Sequence, residues 1–204
     1  MKIAVIAPDA SYIELSSLNK QVEWQRMENT SSLLQLQDVN ALFNLREDAW
    51  ESDYSQINSP VFINSVCHSL QKKGHSENIV RINGWNGFLL RSVWEIAGTL
   101  TEEHQVILNT LNKKYTLLPD EPGFVTARII AMIINEAYFA KEEHVSTEEE
   151  IDIAMKLGTN YPKGPFEWCK NIGIKNIYNL LNVLAEKDNR YTPSLLLKME
   201  ANQS

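Results

Sequence analysis

The chain has 204 residues, 44% of them hydrophobic and 22% charged, which is enough to bury one core or two small ones. Its formal net charge of −7 argues against a nucleic-acid partner, because phosphate-backbone binding needs clustered Lys and Arg. No apolar run approaches the roughly 18 residues a bilayer needs, and the opening run Ile3 to Ala7 is too short for a secretion signal, so the chain reads as cytoplasmic with no membrane partner.

The opening segment KIAVIA is β-branched and apolar, which predicts a buried strand. Further strand-like runs follow at Val39 to Leu45, Val61 to Val66 and Ile79 to Ile82, with the helix-capable stretches SSLLQLQ and REDAWESDYS between and after them. Alternation of this kind predicts a parallel sheet flanked by helices. After the loop NGWNG, the segment FLLRSVWEIAG fits a strand or a helix, and Thr101 to Lys114 reads as an amphipathic helix with Val106, Ile107 and Leu111 at helical spacing. Only residues 61–118 carry more Lys and Arg than Asp and Glu, six against four, so an anionic ligand would be steered there.

From Leu117 the texture changes. LLPDEPG is read as a domain joint, because two prolines and a glycine within seven residues stop any helix. FVTARIIAMIINEAYFAKEE then predicts a helix of about five turns, apolar nearly all round and so buried on several faces. Ser146 with Glu149 suggests a capping box for a helix ending at Gly158, Pro165 the first residue of the next helix, and Gly173 its stop. A last long helix carries Ile177, Leu180, Leu181 and Leu184 on one face before Pro193 starts a terminal turn. The expected fold class is thus a small α/β domain over residues 1–118 followed by an all-α domain over 119–204.

Two cysteines, Cys67 and Cys169, lie too far apart in sequence to suggest a disulfide framework or thiolate zinc site. Cys67, His68 and His75 lack a second ligand pair at zinc spacing, so no metal is expected. His104 and His144 read as exposed helix-end residues, and Trp85, Trp94 and Trp168 as packing residues.

The stretch from Asp120 to Trp168 closely resembles the C-terminal domain of 3-hydroxyacyl-CoA dehydrogenases, at Pro122–Phe124, Arg128, Asn135–Ala137, Ile151–Asp152, Ala154–Gly158, Tyr161–Pro162 and Gly164–Glu167. The resemblance is strong over the last 85 or so residues and faint before them. It implies a 6-phosphogluconate-dehydrogenase-like helical domain that forms a homodimer interface and one wall of an acyl-CoA cleft, preceded by a small Rossmann-like domain that binds NAD in the family. The implied activity is NAD-dependent 3-hydroxyacyl-CoA dehydrogenation in fatty-acid metabolism.

A shared fold does not carry activity, so each chemical part has to be present in this chain. A dinucleotide site needs glycines after the first strand, for a tight turn whose amides meet the pyrophosphate. Here that place holds Ala7 to Tyr12; the first glycine is Gly74, Pro8 lacks an amide donor, and Asp9 would repel phosphate. No cofactor is therefore expected. The family's catalytic His falls at Asn86, whose amide does not titrate near neutral pH, and its orienting carboxylate falls at Glu95. Asn64 aligns with a family Asn, Ser65 stands beside the family Ser position now held by Val66, and Ala127 replaces an Asn just before Arg128.

The candidate site is thus Glu95, Asn86 at a degenerate position and Ser65 for catalysis, with Asn64 and Arg128 for substrate. In simpler structural roles, Glu95 is a surface or ion-paired residue, Arg128 pairs with an acidic neighbour, and Asn135 and Glu136 cap or bridge backbone. Three functions compete: a working dehydrogenase with an unusual nucleotide mode, a non-catalytic acyl-CoA or acyl-carrier binding protein, and a dimerising or regulatory partner. The impaired dehydrogenase-like reading is favoured, with the non-catalytic roles as its alternatives.

Overall fold

The computed structural model describes residues 1–29, 38–72 and 77–204, and the chain divides into two units, Met1–Glu121 and Pro122–Ser204. The first unit is built on strands β1 (Lys2–Ile6), β2 (Glu23–Met27), β3 (Ala41–Asn44), β4 (Val61–Asn64), β5 (Ile79–Ile82), β6 (Val93–Gly98) and β7 (Lys114–Leu118). Their order is β2-β1-β3-β4-β5-β6-β7, and every neighbouring pair is parallel except β5 and β6. β3, β4 and β5 are buried at every position, as strands covered on both faces must be.

Side chains alternate between two layers. Ile3, Val5, Phe43, Phe62 and Val80 pack with Leu15 of helix α1 (Asp9–Ser16) and Ile107 and Leu108 of helix α2 (Glu102–Thr110). Ala4, Ile6, Leu42, Val61 and Ile63 pack on the other side with Tyr54 and Ile57. Phe43 and Phe62, paired in register, stack with ring centroids 4.5 Å apart.

The expected Rossmann-like sheet is present, and among the described residues no α-helix packs on its second face. REDAWESDYS forms only a 3-10 turn at Ala49–Glu51, beyond which the Tyr54 hydroxyl donates to the Ala49 carbonyl (2.7 Å) and accepts from the Asn44 amide (2.8 Å). The segment SSLLQLQ lies outside the described residues. Two strands were not anticipated. β2 carries Glu23, Gln25 and Arg26 outward, which hides its period, and β7 begins at Lys114, the last residue of the expected helix. α2 in fact stops at Thr110: Asn112 adopts φ 54°, and the Lys113 amide bonds back to the Leu108 carbonyl at 2.8 Å. FLLRSVWEIAG resolves into turns followed by β6.

His104 corrects another expectation, being 0% exposed rather than at the surface. It sits in the first turn of α2, where its Nδ1 accepts from the Thr101 amide at 3.3 Å and lies 2.9 Å from the Thr101 hydroxyl, while its ring meets Phe62 edge-on at 5.1 Å. Burial holds its pKa below the usual 6.5, against the opposing pull of backbone groups at Asn78 and Val61. The folded chain therefore keeps the ring neutral while the unfolded chain protonates it near pH 6.5. This contribution to stability is complete above that value and is lost as pH falls from it towards the lower folded value. Urea unfolding at pH 7.5 and 5.5 should show a His104→Gln variant losing less stability over that interval than the parent; equal losses would refute the assignment.

The second unit is helical: α3 (Val125–Glu142), α4 (Glu148–Thr159), α5 (Pro165–Ile172), α6 (Ile174–Ala185) and α7 (Leu195–Gln203). Pro165 and Gly173 bound α5 as read from the sequence, and α6 buries Ile177, Leu180, Leu181 and Leu184. The capping box lies one residue beyond the expected pair: Thr147 and Glu150 bond each other's backbone, with the Ser146 hydroxyl also donating to Glu150 at 2.6 Å. α4 runs to Thr159 and is closed by left-handed Asn160, not by Gly158. α3 is not buried all round, since Val125 and Ile129 are 51% and 55% exposed. Past Pro193 the chain forms α7 instead of a turn: Asn135 of α3 donates to the Thr192 carbonyl and accepts from the Ser194 amide, both at 2.9 Å, so that the Ser194 hydroxyl can cap α7. No helix among the described residues is long and apolar enough to cross a membrane.

Candidate functional site

In an open parallel sheet the ligand crevice lies past the carboxyl ends of the strands, where the strand order reverses. In this sheet that place is the end of β1, between β2 and β3. A cavity of about 500 Å³ opens there, lined by Ile6, Ala7 and Pro8 after β1, Glu28 after β2, and Arg46 to Asp48 after β3. Arg46 is already committed to Asp48, through Nε at 3.1 Å and Nη2 at 3.3 Å. Three carboxylates against one guanidinium leave the cavity acidic.

The β1–α1 turn sets what this cavity can hold. Pro8 precedes α1 with φ −58° and ψ 157°, and no side chain caps the helix. Asp9 occupies its first turn and pairs with Arg26 of β2. Arg26 also donates to the Ala7 carbonyl at 3.3 Å, with its guanidinium 4.9 Å from the Tyr12 ring centre. A pyrophosphate at this turn would lose one amide to Pro8, face the Asp9 carboxylate, and find the nearby cation engaged. Glu28, by contrast, stands past β2, where an acidic residue serves a ribose hydroxyl in dinucleotide folds. The residues suit a ribose but not the phosphates joined to it, so a dinucleotide does not fit.

The same edge continues over β4, β5 and β6. Asn64 ends β4, 7% exposed, and its Oδ1 accepts from the Gly84 amide at 3.0 Å; a Cβ on residue 84 would lie 3.0 Å from that of Asn64, so glycine permits the approach. The Ser65 hydroxyl donates to the His68 carbonyl at 2.8 Å. Asn86 follows β5, and its Oδ1 accepts from the Ser11 hydroxyl at 3.4 Å, while the neighbouring Gly87 amide donates to Glu14 at 2.7 Å. Half-buried Glu95 lies on β6 one residue before Ile96, the partner of Ile82, and is therefore level with Asn83. Four of the five expected residues, Asn64, Ser65, Asn86 and Glu95, thus share one edge of the sheet.

Arg128 belongs to the helical unit and corrects the expected acidic pairing. Its Nε donates to the carbonyls of Pro122 (3.0 Å) and Gly123 (3.1 Å), and Nη2 to that of Pro122 (2.6 Å), closing the turn before α3.

The groups along this edge favour holding over proton transfer. Asn86 does not titrate, and burial pushes the Cys67 thiol up to about 12, aided by Glu47, so it supplies no thiolate nucleophile near neutral pH. Lys113 is 7% exposed and donates to the Leu89 and Arg91 carbonyls, both at 2.8 Å, fixing the β5–β6 loop; burial lowers its pKa. Among the described residues no group of three His, Cys, Asp or Glu could hold a metal ion. Sequence reasoning missed Glu28, Arg26, Arg46 and Lys113. Glu28 could have been found from its distance past the first turn had β2 been recognised.

The family described as 3-hydroxyacyl-CoA dehydrogenase, C-terminal domain, matches residues 123–204. The chain is similar to 3-hydroxyadipyl-CoA dehydrogenase of Escherichia coli strain K12, 41% identical over 96 residues, 46% of this chain and 20% of that protein. It is similar also to 3-hydroxybutyryl-CoA dehydrogenase of Clostridioides difficile, 36% identical over 124 residues, 56% of this chain and 44% of that one. These matches span less than half of either relative. Among solved structures, (S)-3-hydroxybutyryl-CoA dehydrogenase of Ralstonia eutropha shares the fold, with TM-score 0.72 and 18% identity over 99% of this chain and 93% of that chain. The helical unit is thus matched in sequence to the 3-hydroxyacyl-CoA dehydrogenase C-terminal domain, and the chain as a whole shares the fold of a solved 3-hydroxybutyryl-CoA dehydrogenase.

Proposed function

We propose that this chain is a cytoplasmic, acyl-CoA-binding member of the family in fatty-acid metabolism that does not carry out NAD-linked hydride transfer on its own. The observation that carries this reading is the β1–α1 turn, where Pro8 removes a donor and Asp9 holds Arg26. Asn86, at the position of the family's base, supports it from the other side of the reaction, since an amide takes no proton from a hydroxyl. What remains suits recognition. The Asn64 oxygen is held by Gly84, which orients its amide N–H groups to donate to a carbonyl such as that of a thioester. A homodimer through the helical unit is part of the same reading, supported by Ile153 and Leu157 of α4 at 53% and 83% exposure.

The test uses the full chain. Titration with NADH, followed by its fluorescence, should give no binding at millimolar cofactor, and 3-hydroxybutyryl-CoA should not be oxidised in the presence of NAD. Saturating acetoacetyl-CoA should raise the melting temperature by several degrees, as any ligand selective for the folded state does. Measurable NADH affinity or turnover would overturn the non-catalytic half of the proposal; an unmoved melting temperature would overturn the acyl-CoA half.

A further inference from the structure

The two edges of the sheet differ. β2 presents Glu23, Gln25 and Arg26, the charged and polar side chains that discourage a strand edge from pairing. β7, the other edge, has the sequence KYTLL, with Lys114 to Leu117 all exposed, including Tyr115 at 39% and Leu117 at 54%. Among the described residues β7 pairs with β6 alone.

Its backbone polarity follows from one bond. The Lys114 amide donates to the Ser92 carbonyl at 3.1 Å, and in a parallel ladder alternate residues point the same way, so Lys114, Thr116 and Leu118 bond towards β6. Tyr115 and Leu117 therefore direct both their N–H and C=O groups away from the sheet. Their side chains share one face, beside Trp94 and Ile96 in the register with β6.

We propose that β7 is a homotypic docking strand, pairing antiparallel with β7 of a second copy about a twofold axis at Thr116. The sequence is complementary to itself in that register. Tyr115 opposes Leu117 of the second copy and Leu117 opposes its Tyr115, giving two hydrogen-bonded residue pairs that exchange four backbone bonds. Each pair sets an aromatic ring against a leucine, a favourable cross-strand combination. Lys114 falls opposite Leu118, so no like charges meet. Pro119 lacks an N–H and the Lys113 amide is bonded to Leu108, so the ladder ends after these four bonds. An interface this short makes a weak, concentration-dependent contact. It is independent of the acyl-CoA reading and involves a different surface from the helical unit.

The axis gives the test. Opposed Thr116 residues form a non-hydrogen-bonded pair with Cα atoms about 4.5 Å apart, close enough for a disulfide, whereas the two Lys114 residues, each opposite a Leu118, lie about 13 Å apart along the strands. Under mild oxidation the full-length Thr116→Cys variant should form a disulfide dimer at least tenfold faster than Lys114→Cys, with peptide mapping placing the link between the two positions 116. Adding Leu117→Lys should slow that link at least tenfold, whereas adding Leu157→Lys on α4 should leave it unchanged. Equal rates at positions 114 and 116, links from 116 to Cys67 or Cys169, or insensitivity to Leu117→Lys would each overturn the proposal. Circular dichroism of each variant, matching the parent, separates lost docking from lost folding.

Discussion

Replacing Arg81 with methionine should cost the first unit about 3–5 kcal/mol, the usual penalty for removing one partner of a buried ion pair. Arg81 lies on β5 and is 0% exposed. Its Nη1 donates to the Ser65 and His68 carbonyls, both at 2.8 Å, and Nη2 to that of Glu121 at 2.6 Å. Its Nε lies 2.6 Å from Asp120 Oδ1 in a buried ion pair. Asp120 in turn accepts from the amides of Leu70 (2.8 Å) and Gln71 (3.2 Å). One side chain thus ties the loop after β4 to the end of the unit. Burial lowers the Arg81 pKa and Asp120 opposes that, and the guanidinium stays charged.

Methionine would leave three carbonyls and a nearly buried carboxylate without this donor, in a unit whose whole stability is of the order of 5–15 kcal/mol. Lysine should not rescue, since an ammonium cannot present a planar fork to donors' partners on several sides. Asp120→Asn, which keeps an acceptor oxygen for Leu70 and Gln71, should cost less than Arg81→Met. Urea unfolding followed by tryptophan fluorescence reads the right unit, because Trp24, Trp50, Trp85 and Trp94 lie in it and only Trp168 lies in the other. A loss below about 1 kcal/mol would mean that water or local rearrangement replaces these bonds.

Arg81 also marks the limit of what the sequence discloses. Four strands were legible because IAVI, ALFN, VFIN and IVRI are apolar runs whose burial on both faces requires such composition. An arginine inside IVRI gives no sign that it will be fully buried, since its partners come from residues 65, 68, 120 and 121. β2 and β7 were illegible for a related reason. β2 exposes Glu23, Gln25 and Arg26 on both faces, so neither alternation nor an apolar run appears, and the short alternation of β7 starts at Lys114, where the expected helix was still running. At the candidate site the loss of glycines was readable directly, but the Arg26 contact with Asp9 and Tyr12 was not, because it depends on β2 lying beside β1. His104 was misread through its place near a helix start: position along a helix does not say which face meets Phe62.

The second large effect is expected at Gly164, where alanine should destabilise the helical unit by about 3–5 kcal/mol. Gly164 has ordinary dihedrals, φ −76° and ψ 166°, so left-handed backbone is not the reason for glycine. The reason is Asp152. A Cβ on residue 164 would lie 2.2 Å from Asp152 Oδ1 and 2.3 Å from its Cγ. Asp152, 8% exposed on α4, accepts from the Phe166 amide (2.8 Å) and the Glu167 amide (3.1 Å) at the start of α5. A carboxylate satisfies the free amides there and faces the positive end of the helix. Glu167 completes the turn by accepting from the Gly164 amide at 3.0 Å. The aspartate and the GPFE segment shared with the family are therefore two halves of one helix-to-helix joint.

That joint predicts a particular non-additivity. Asp152→Ala alone should cost about 2–3 kcal/mol, from two amides left without acceptors. Alanine at 152 would not relieve the clash, because its Cβ still lies 2.4 Å from the methyl at 164. Asp152→Gly removes all three of the nearest atoms, so Gly164→Ala combined with Asp152→Gly should be about as stable as Asp152→Gly alone rather than weaker by the sum. Asp152→Asn should cost only about 1–2 kcal/mol, since one amide oxygen can still accept from α5. Far-ultraviolet circular dichroism of the four proteins in urea measures this cycle on a largely helical signal. If Gly164→Ala and Asp152→Gly added fully, the methyl group would be clashing with something other than the Asp152 side chain, and the joint would need another explanation.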